Sequence, residues 1–280
     1  MEVTDLKDKR VLIVGLAKTG VTLARFLTKY GASVTISDHK SKAELSGHLE
    51  LLEGLNVTME LGGHTPKTFL AQDMIILSPG VPPHLKIFDY ARSQGVFVTG
   101  ELEFCAQFIK EPIVAITGTN GKTTTTHLIY TFLVESGVKT WVGGNFGEPL
   151  SEYLLKDEKA EVLVLEVSSF MLEHVQKFAP KNIVFMNLAE NHLDRYRTME
   201  EYVNAKRKIF LNTNQGTTSI LNADDNAVVE LTNLKTGEVV YCHRVQGKSF
   251  RAPVFSKDPH TLKAGRDRPG TLLLENTAPQ

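Results

Sequence analysis

Seven consecutive residues, Gly118, Thr119, Asn120, Gly121, Lys122, Thr123 and Thr124, set glycines, a lysine and hydroxyls in the order that holding a phosphate requires. They follow an apolar run, residues 113–116, that reads as a buried strand. They open a segment, 123–136, whose Leu128, Ile129, Phe132 and Leu133 fall on one helical face, with Gly137 as a stop signal. A strand, a glycine-rich turn and a helix start let backbone N–H groups approach an anion, and the helix end adds roughly half a positive charge. Lys122 supplies a point charge for terminal phosphates, and the Thr123 hydroxyl suits Mg²⁺. The general G-x-x-x-x-G-K pattern places its first glycine at position 116, where this chain has Ile116, so the match is to a shorter variant, G-T-N-G-K-T-T. The segment reads as a nucleoside triphosphate site.

Other polar groups stand at the ends of apolar runs. Residues 161–166 form a strand ending in the Glu166 carboxylate, a hard-oxygen ligand of the kind Mg²⁺ takes. Residues 182–187 form another, emptying into a segment with His192 and Asp194. Thr198 and Glu201 make a T-x-x-E capping box that starts a helix running through Phe210, with Lys206 one turn after Tyr202. Lys206, Arg207 and Lys208 are consecutive, and spacing alone does not say which of them points inward.

The elements positioning these groups alternate. Runs at 11–14, 34–37, 74–77 and 96–98 read as strands, and 21–30 reads as a helix closed by Gly31. That order implies a parallel sheet with crossover helices. The turn 15–20 sits where a dinucleotide fingerprint would, and Asp38 ends the second strand. Ala17, however, replaces the middle glycine and would crowd a pyrophosphate, which disfavours a nicotinamide cofactor. The turn with Ser78, Pro79 and Gly80 lies at a strand's carboxyl end, where open α/β sheets bind ligands. A short helix and a connection ending at Pro112 mark a boundary, after which the α/β pattern restarts. The predicted fold is therefore α/β, an N-terminal Rossmann-like parallel-sheet domain (1–108) followed by a P-loop-type α/β ATPase domain (109–245). Residues 246–280, rich in Lys, Arg, Pro, Gly and Asp, are expected to be irregular.

The 280 residues carry 42% apolar and 22% charged side chains and a net charge of −1, which gives no electrostatic case for nucleic acid or a membrane surface. Cys105 and Cys242 lack metal-type spacing and read as reduced core thiols. No signal peptide and no bilayer-length apolar run is evident, so a cytoplasmic protein is expected.

Residues 118–124, the L-E-V-S-S-F run at 165–170, residues 187–196 and the 199–206 segment together resemble the Mur ligase family, in register over residues 8–226. The S-S-F and H-L-D-R-Y stretches select the branch that adds D-glutamate. The resemblance implies ATP-dependent ligation of D-glutamate to UDP-N-acetylmuramoyl-L-alanine through an acyl phosphate, in peptidoglycan synthesis, by a monomer. It implies that Leu16, Lys18, Thr19, Asp38, Ser78, Pro79 and Gly80 hold the uridine diphosphate, and that Asn145 and Ser168 contact the sugar-peptide portion. It assigns Gly118 to Thr124 to ATP, and Thr123, Glu166 and His192 to Mg²⁺. Lys122, His192 and Lys206 become the catalytic set, with Lys206 matching a lysine that is carbamylated in the family and, as a carbamate, supports a second Mg²⁺. Arg207 and Lys208 are expected to depress its pKa from the ordinary ~10.4.

Three departures bear on this. Met171 replaces the family's glutamine after S-S-F, and Asn191 replaces the acid before His192. The family's G-x-H-N-x-x-N adenine segment and a third domain of roughly 100–150 residues have no counterpart here, so UDP-substrate binding with weak ATP binding and poor ligation is expected. Three other readings stand beside this one. They are a folylpolyglutamate-type ligase, against which residues 1–108 argue; a non-catalytic binder of UDP-sugar and ATP; and a dehydrogenase, against which Ala17 argues.

Overall fold

The computed structural model describes residues 1–82, 85–191, 195–231, 237–244 and 253–256. Short β-branched and apolar runs form β1 (Arg10–Val14), β2 (Ser33–Asp38), β3 (Val57–Leu61), β4 (Met74–Leu77) and β5 (Phe97–Gly100). Between them run α1 (Lys18–Lys29), α2 (Ser46–Glu50), α3 (Pro66–Leu70) and α4 (Lys86–Ser93). All pairings are parallel, in the order β3-β2-β1-β4-β5. The chain reverses its winding direction between β1 and β4, so the turns after those two strands flank one crevice. The strand pattern expected from sequence is present, with β3 added at the edge.

The helix α5 (Glu101–Ala106) leads to the second sheet, whose strands are β6 (Ile113–Thr117), β7 (Thr140–Gly144), β8 (Val162–Glu166), β9 (Asn182–Phe185), β10 (Thr218–Asn222), β11 (Glu238–Arg244) and β12 (Pro253–Ser256). Their helices are α6 (Lys122–Glu135), α7 (Leu150–Leu154), α8 (Ser169–Leu172), α9 (Met199–Arg207), continued by a 3₁₀ turn Lys208–Phe210, and α10 (Asn226–Leu231). Among the described residues the order is β12-β11-β10-β9-β6-β8-β7, parallel except for β12 against β11. The stretch expected to be irregular thus contributes one antiparallel edge strand, and its other residues lie outside those described. Central position puts β6 between β8 and β9, so the turns after these three strands converge.

Thr198 caps α9 by accepting the Glu201 N–H at 3.2 Å, but the Glu201 carboxylate accepts from the N–H of Arg197 rather than Thr198, at 2.9 Å. Half of the capping box forms, and its return bond slips by one residue. On α6 the expected apolar face does not turn inward. Leu128 and Phe132 are 50% and 62% exposed, whereas Thr126 is buried. The helix phase is set at its start, because Thr123 reaches in to Glu166. The inward row then continues through Thr126 one turn later.

The two sheets share one continuous core. Phe26 of α1 meets Phe104 and Phe108 edge-on, at centroid distances of 6.3 and 5.5 Å. Two acids of α5 are buried against α7 and the connection after α8. Glu101 accepts the Ser151 N–H at 2.7 Å, and burial raises its pKa despite that bond. Glu103 accepts N–H groups from Gln176, Lys177 and Phe178 at 2.9–3.0 Å. Thr22 and Ser151 share a hydroxyl–hydroxyl bond of 2.6 Å across the same seam. Both cysteines are free, and Cys105 is buried.

Candidate active site

The turn from β6 to α6 builds the centre of the site. Gly118 (φ 145°) and Gly121 (φ 80°) take backbone conformations that favour glycine, and a Cβ on either would come within 3.0 Å of the Met186 side chain. Asn187, just past β9, clamps the turn. Its Oδ1 accepts the N–H groups of Thr119 and Asn120 at 3.0 and 2.8 Å, and its Nδ2 donates to the Asn120 carbonyl at 3.0 Å. Sequence reasoning missed this clamp. The available signal was an amide side chain at the carboxyl end of a strand beside the phosphate turn. The start of α6 has no side-chain cap, so its first-turn N–H groups face the turn.

Glu166 ends β8 beside Ile116 of β6 and Gly144 of β7. Its carboxylate, 2% exposed, accepts the Thr123 hydroxyl at 2.7 Å and the Asn145 amide at 2.8 Å. Thr123, Asn145 and Glu166 therefore meet. Lys122 donates to the Thr119 carbonyl at 2.9 Å, and burial lowers its pKa while Glu166 acts to raise it. Ser168 caps α8, accepting the Met171 N–H at 3.3 Å, and Met171 is a buried core residue.

Of the three consecutive cations, Lys206 turns inward. It is 1% exposed, donates to the Gly118 carbonyl at 2.8 Å and lies 5.0 Å from the centre of the Tyr202 ring. Its pKa falls to about 7, chiefly through burial, then through repulsion from Lys122, with Glu166 opposing. The expected depression is present, but its source is not Arg207 or Lys208. Arg207 is exposed, and Lys208 donates to the Glu173 carbonyl. His192 and Asp194 lie outside the described residues.

The first sheet brings together another set. Asp38 accepts the Leu16 N–H at 2.6 Å and the Lys40 N–H at 2.9 Å, and Ser78 donates to the Gly15 carbonyl at 3.0 Å. Leu16, Asp38 and Ser78 thus close one turn-lined crevice, with Pro79 and Gly80 next to it. Lys18 points elsewhere, donating to the Gly147 carbonyl at 2.9 Å in the turn that carries Asn145. Thr19 sits in the first turn of α1.

Among the described residues no cluster of three His, Cys, Asp or Glu is formed. Thr123 Oγ1 and Glu166 Oε2, 2.7 Å apart, nevertheless have the spacing of neighbouring oxygens around Mg²⁺, about 3 Å for an octahedron. The donor set fits that ion.

The model of the Mur ligase middle domain matches residues 116–262, just over half the chain. The chain belongs to the Mur ligase family. The N-terminal domain of MurD-like Mur ligases matches residues 9–100. A UDP-N-acetylmuramoylalanine–D-glutamate ligase of Bdellovibrio bacteriovorus is 67% identical over 246 residues, covering 87% of this chain and 53% of that protein. The same-named ligase of Citrifermentans bemidjiense is 48% identical over 269 residues, covering 94% and 60% respectively. The chain spans about half the length of the curated relatives it matches. Among solved structures, a UDP-N-acetylmuramate:L-alanyl-gamma-D-glutamyl-meso-diaminopimelate ligase of Neisseria meningitides shares the fold. Its TM-score is 0.58 at 14% identity, covering 89% of this chain and 84% of that one. This Mur ligase chain has, among its described residues, no helix long and apolar enough to cross a membrane.

Proposed function

We propose that this Mur ligase chain takes part in the ATP-dependent joining of D-glutamate to UDP-N-acetylmuramoyl-L-alanine, a step of peptidoglycan synthesis, as a cytoplasmic monomer. The observation that carries the reading is the convergence of Lys122, Thr123, Glu166 and Lys206 on one phosphate turn, in a chain 67% identical to a ligase of that name. The reading divides the chain into a uridine diphosphate unit (1–108) and an ATP unit (109–245), followed by 246–280.

In this reading the substrate carboxylate attacks the γ-phosphorus of ATP and ADP leaves. The amine of D-glutamate then attacks the acyl carbon and displaces phosphate. Two anions meet in the first step. Lys122 offsets their repulsion and stabilises the transferring group from a half-buried position where its charge is weakly screened. The uncapped start of α6 directs N–H groups at the phosphates, while Thr119 and Asn120, their N–H groups held by Asn187, keep the turn in shape. A Mg²⁺ ion held by Thr123 and Glu166, with His192 as a further ligand, would neutralise phosphate charge. Leu16, Lys18, Thr19, Asp38, Ser78, Pro79 and Gly80 frame the uridine diphosphate, and Asn145 and Ser168 face the sugar-peptide portion.

Lys206 needs a neutral amine to form a carbamate with CO₂. A pKa of about 7 supplies that form at neutral pH, and the carbamate would turn a buried cation into an anion able to support a second Mg²⁺. Carbon-13 NMR of the folded chain in ¹³C-bicarbonate tests this, and the absence of a carbamate resonance that Lys206→Met removes would count against it.

Calorimetry with UDP-N-acetylmuramoyl-L-alanine, followed by a D-glutamate-dependent phosphate-release assay, tests the whole reading. Binding with D-glutamate-dependent release supports a ligase. Binding without release indicates a binder of the UDP compound rather than a catalyst, and no binding of the UDP compound removes the assignment.

A further inference from the structure

Arg195 stands where three segments cross. Its Nη1 and Nη2 donate to the carbonyls of Gly80 and Val81, at 3.3 and 3.0 Å, in the turn after β4. Its Nε and Nη2 engage both oxygens of Glu173, just past α8, and the Tyr196 hydroxyl donates to the same carboxylate at 2.8 Å. The guanidinium carbon lies 4.2 Å from the centre of the Phe170 ring. The pair is largely out of solvent, with Arg195 12% and Glu173 7% exposed.

Each of these partners leads to a different part of the site. Gly80 and Val81 continue from Ser78 in the crevice of the first sheet. Phe170 and Glu173 follow Glu166 and Ser168. Arg195 itself belongs to the segment after β9, which reaches the phosphate turn through Asn187 and through Ala189, whose N–H donates to the Thr119 hydroxyl at 3.0 Å. A second polar bridge among the described residues, Lys18 to Gly147, is more than half exposed on the lysine side and holds little in place.

We propose that Arg195 is a positioning residue that makes occupancy of the first-sheet crevice and of the phosphate turn mutually dependent; this rests on the ligand assignments above. The planar five-donor fork meets a carboxylate along one edge and two carbonyls along another, an arrangement that a lysine's single ammonium cannot reproduce. A shift of residues 78–81 on binding must either carry the guanidinium, and with it Glu173 and α8, or break bonds to a buried charge pair. The second course is expensive, because guanidinium N–H groups and carbonyls that bonded one another away from water lose those partners. Moving the turn therefore moves the wall of the neighbouring site. By linkage each ligand must then change the other's affinity by the same factor.

The test uses the 280-residue chain, UDP-N-acetylmuramoyl-L-alanine, and a non-hydrolysable ATP analogue with Mg²⁺, each titrated with and without saturating amounts of the other. In the unmodified chain each ligand should tighten the other by about 5- to 50-fold. Arg195→Lys should cut that factor below about 2-fold while changing each affinity alone by less than about 3-fold, within the span expected of a coupling residue. If that variant fails to fold, Glu173→Gln, which keeps the shape of the pair's acceptor side, carries the same test. Retained coupling in the folded variant overturns the proposal, as does a parallel loss of both affinities with the coupling factor intact. Binding of both ligands by the unmodified chain without coupling overturns this inference alone, whereas failure to bind either removes the ligand assignments with it.

Discussion

The two crevices are built on opposite electrostatic principles. At the end of the first sheet the polar side chains are already satisfied, Asp38 by the N–H groups of Leu16 and Lys40 and Ser78 by the Gly15 carbonyl. What remains for a ligand is the shape of the turns. At the phosphate turn two lysine amines, Lys122 and Lys206, are held on backbone carbonyls, and among the described residues neither ion-pairs with a carboxylate. Glu166 is instead engaged by a hydroxyl and an amide. The first site is preformed by its own hydrogen bonds. The second holds Lys122 and the half-titrated Lys206 away from water, where a polyanion favours their charged forms.

The contrast breaks most visibly at Lys122. Lys122→Ala should weaken binding of the Mg²⁺-bound ATP analogue by about 10- to 100-fold, the scale of one lost charge-assisted hydrogen bond, and leave the affinity for the UDP compound unchanged. Loss of both would mean that the two crevices are not separable. In stability, the largest effect should come from Lys206. Burial holds its pKa at about 7, against about 10.4 unfolded. Between those values the unfolded chain holds the extra proton, so stability rises with pH from about 7 to about 10 and the full cost remains below about 7. Urea unfolding in bicarbonate-free buffer at the two ends of that window should show a gain of a few kcal/mol at most, about one unit of pKa per 1.4 kcal/mol. The gain should be missing in Lys206→Met, and parallel pH slopes for the two proteins would contradict the burial account.

The first crevice should respond differently. Asp38→Ala leaves a buried Leu16 N–H without its acceptor, at a cost of about 1–3 kcal/mol. Thermal unfolding should fall accordingly, with the UDP compound bound more weakly and the ATP analogue unaffected. Equal weakening of both ligands would show that Asp38 acts globally. Thr198→Ala removes a helix cap for about 1 kcal/mol and should alter neither affinity. A change in nucleotide binding there would mean that α9 positions Lys206 more tightly than the capping bond requires.

Much of this was legible in the residues because glycine, lysine and β-branched runs act locally. The phosphate turn, the alternation of strand and helix, and Glu166 at a strand end follow from that chemistry. The edge strand β3 was missed although V-T-M-E-L alternates apolar and polar residues, the signal of a half-buried strand. The inward face of α6 could not be read from apolar spacing, because its phase is set at the helix start by the bond from Thr123 to Glu166. Glu101 and Glu103 look like solvated helix acids until α7 and the connection after α8 supply the N–H groups that hold them. The Asn187 clamp and the Arg195 bridge depend on contacts between residues 22 to 115 positions apart, which no local pattern carries.

Native mass spectrometry of the chain with UDP-N-acetylmuramoyl-L-alanine and the Mg²⁺-bound ATP analogue tests most directly whether two distinct crevices exist. A ternary species carrying one copy of each ligand, losing only the nucleotide in Lys122→Ala, is the predicted result. Binary complexes alone, with each ligand displacing the other, would contradict it.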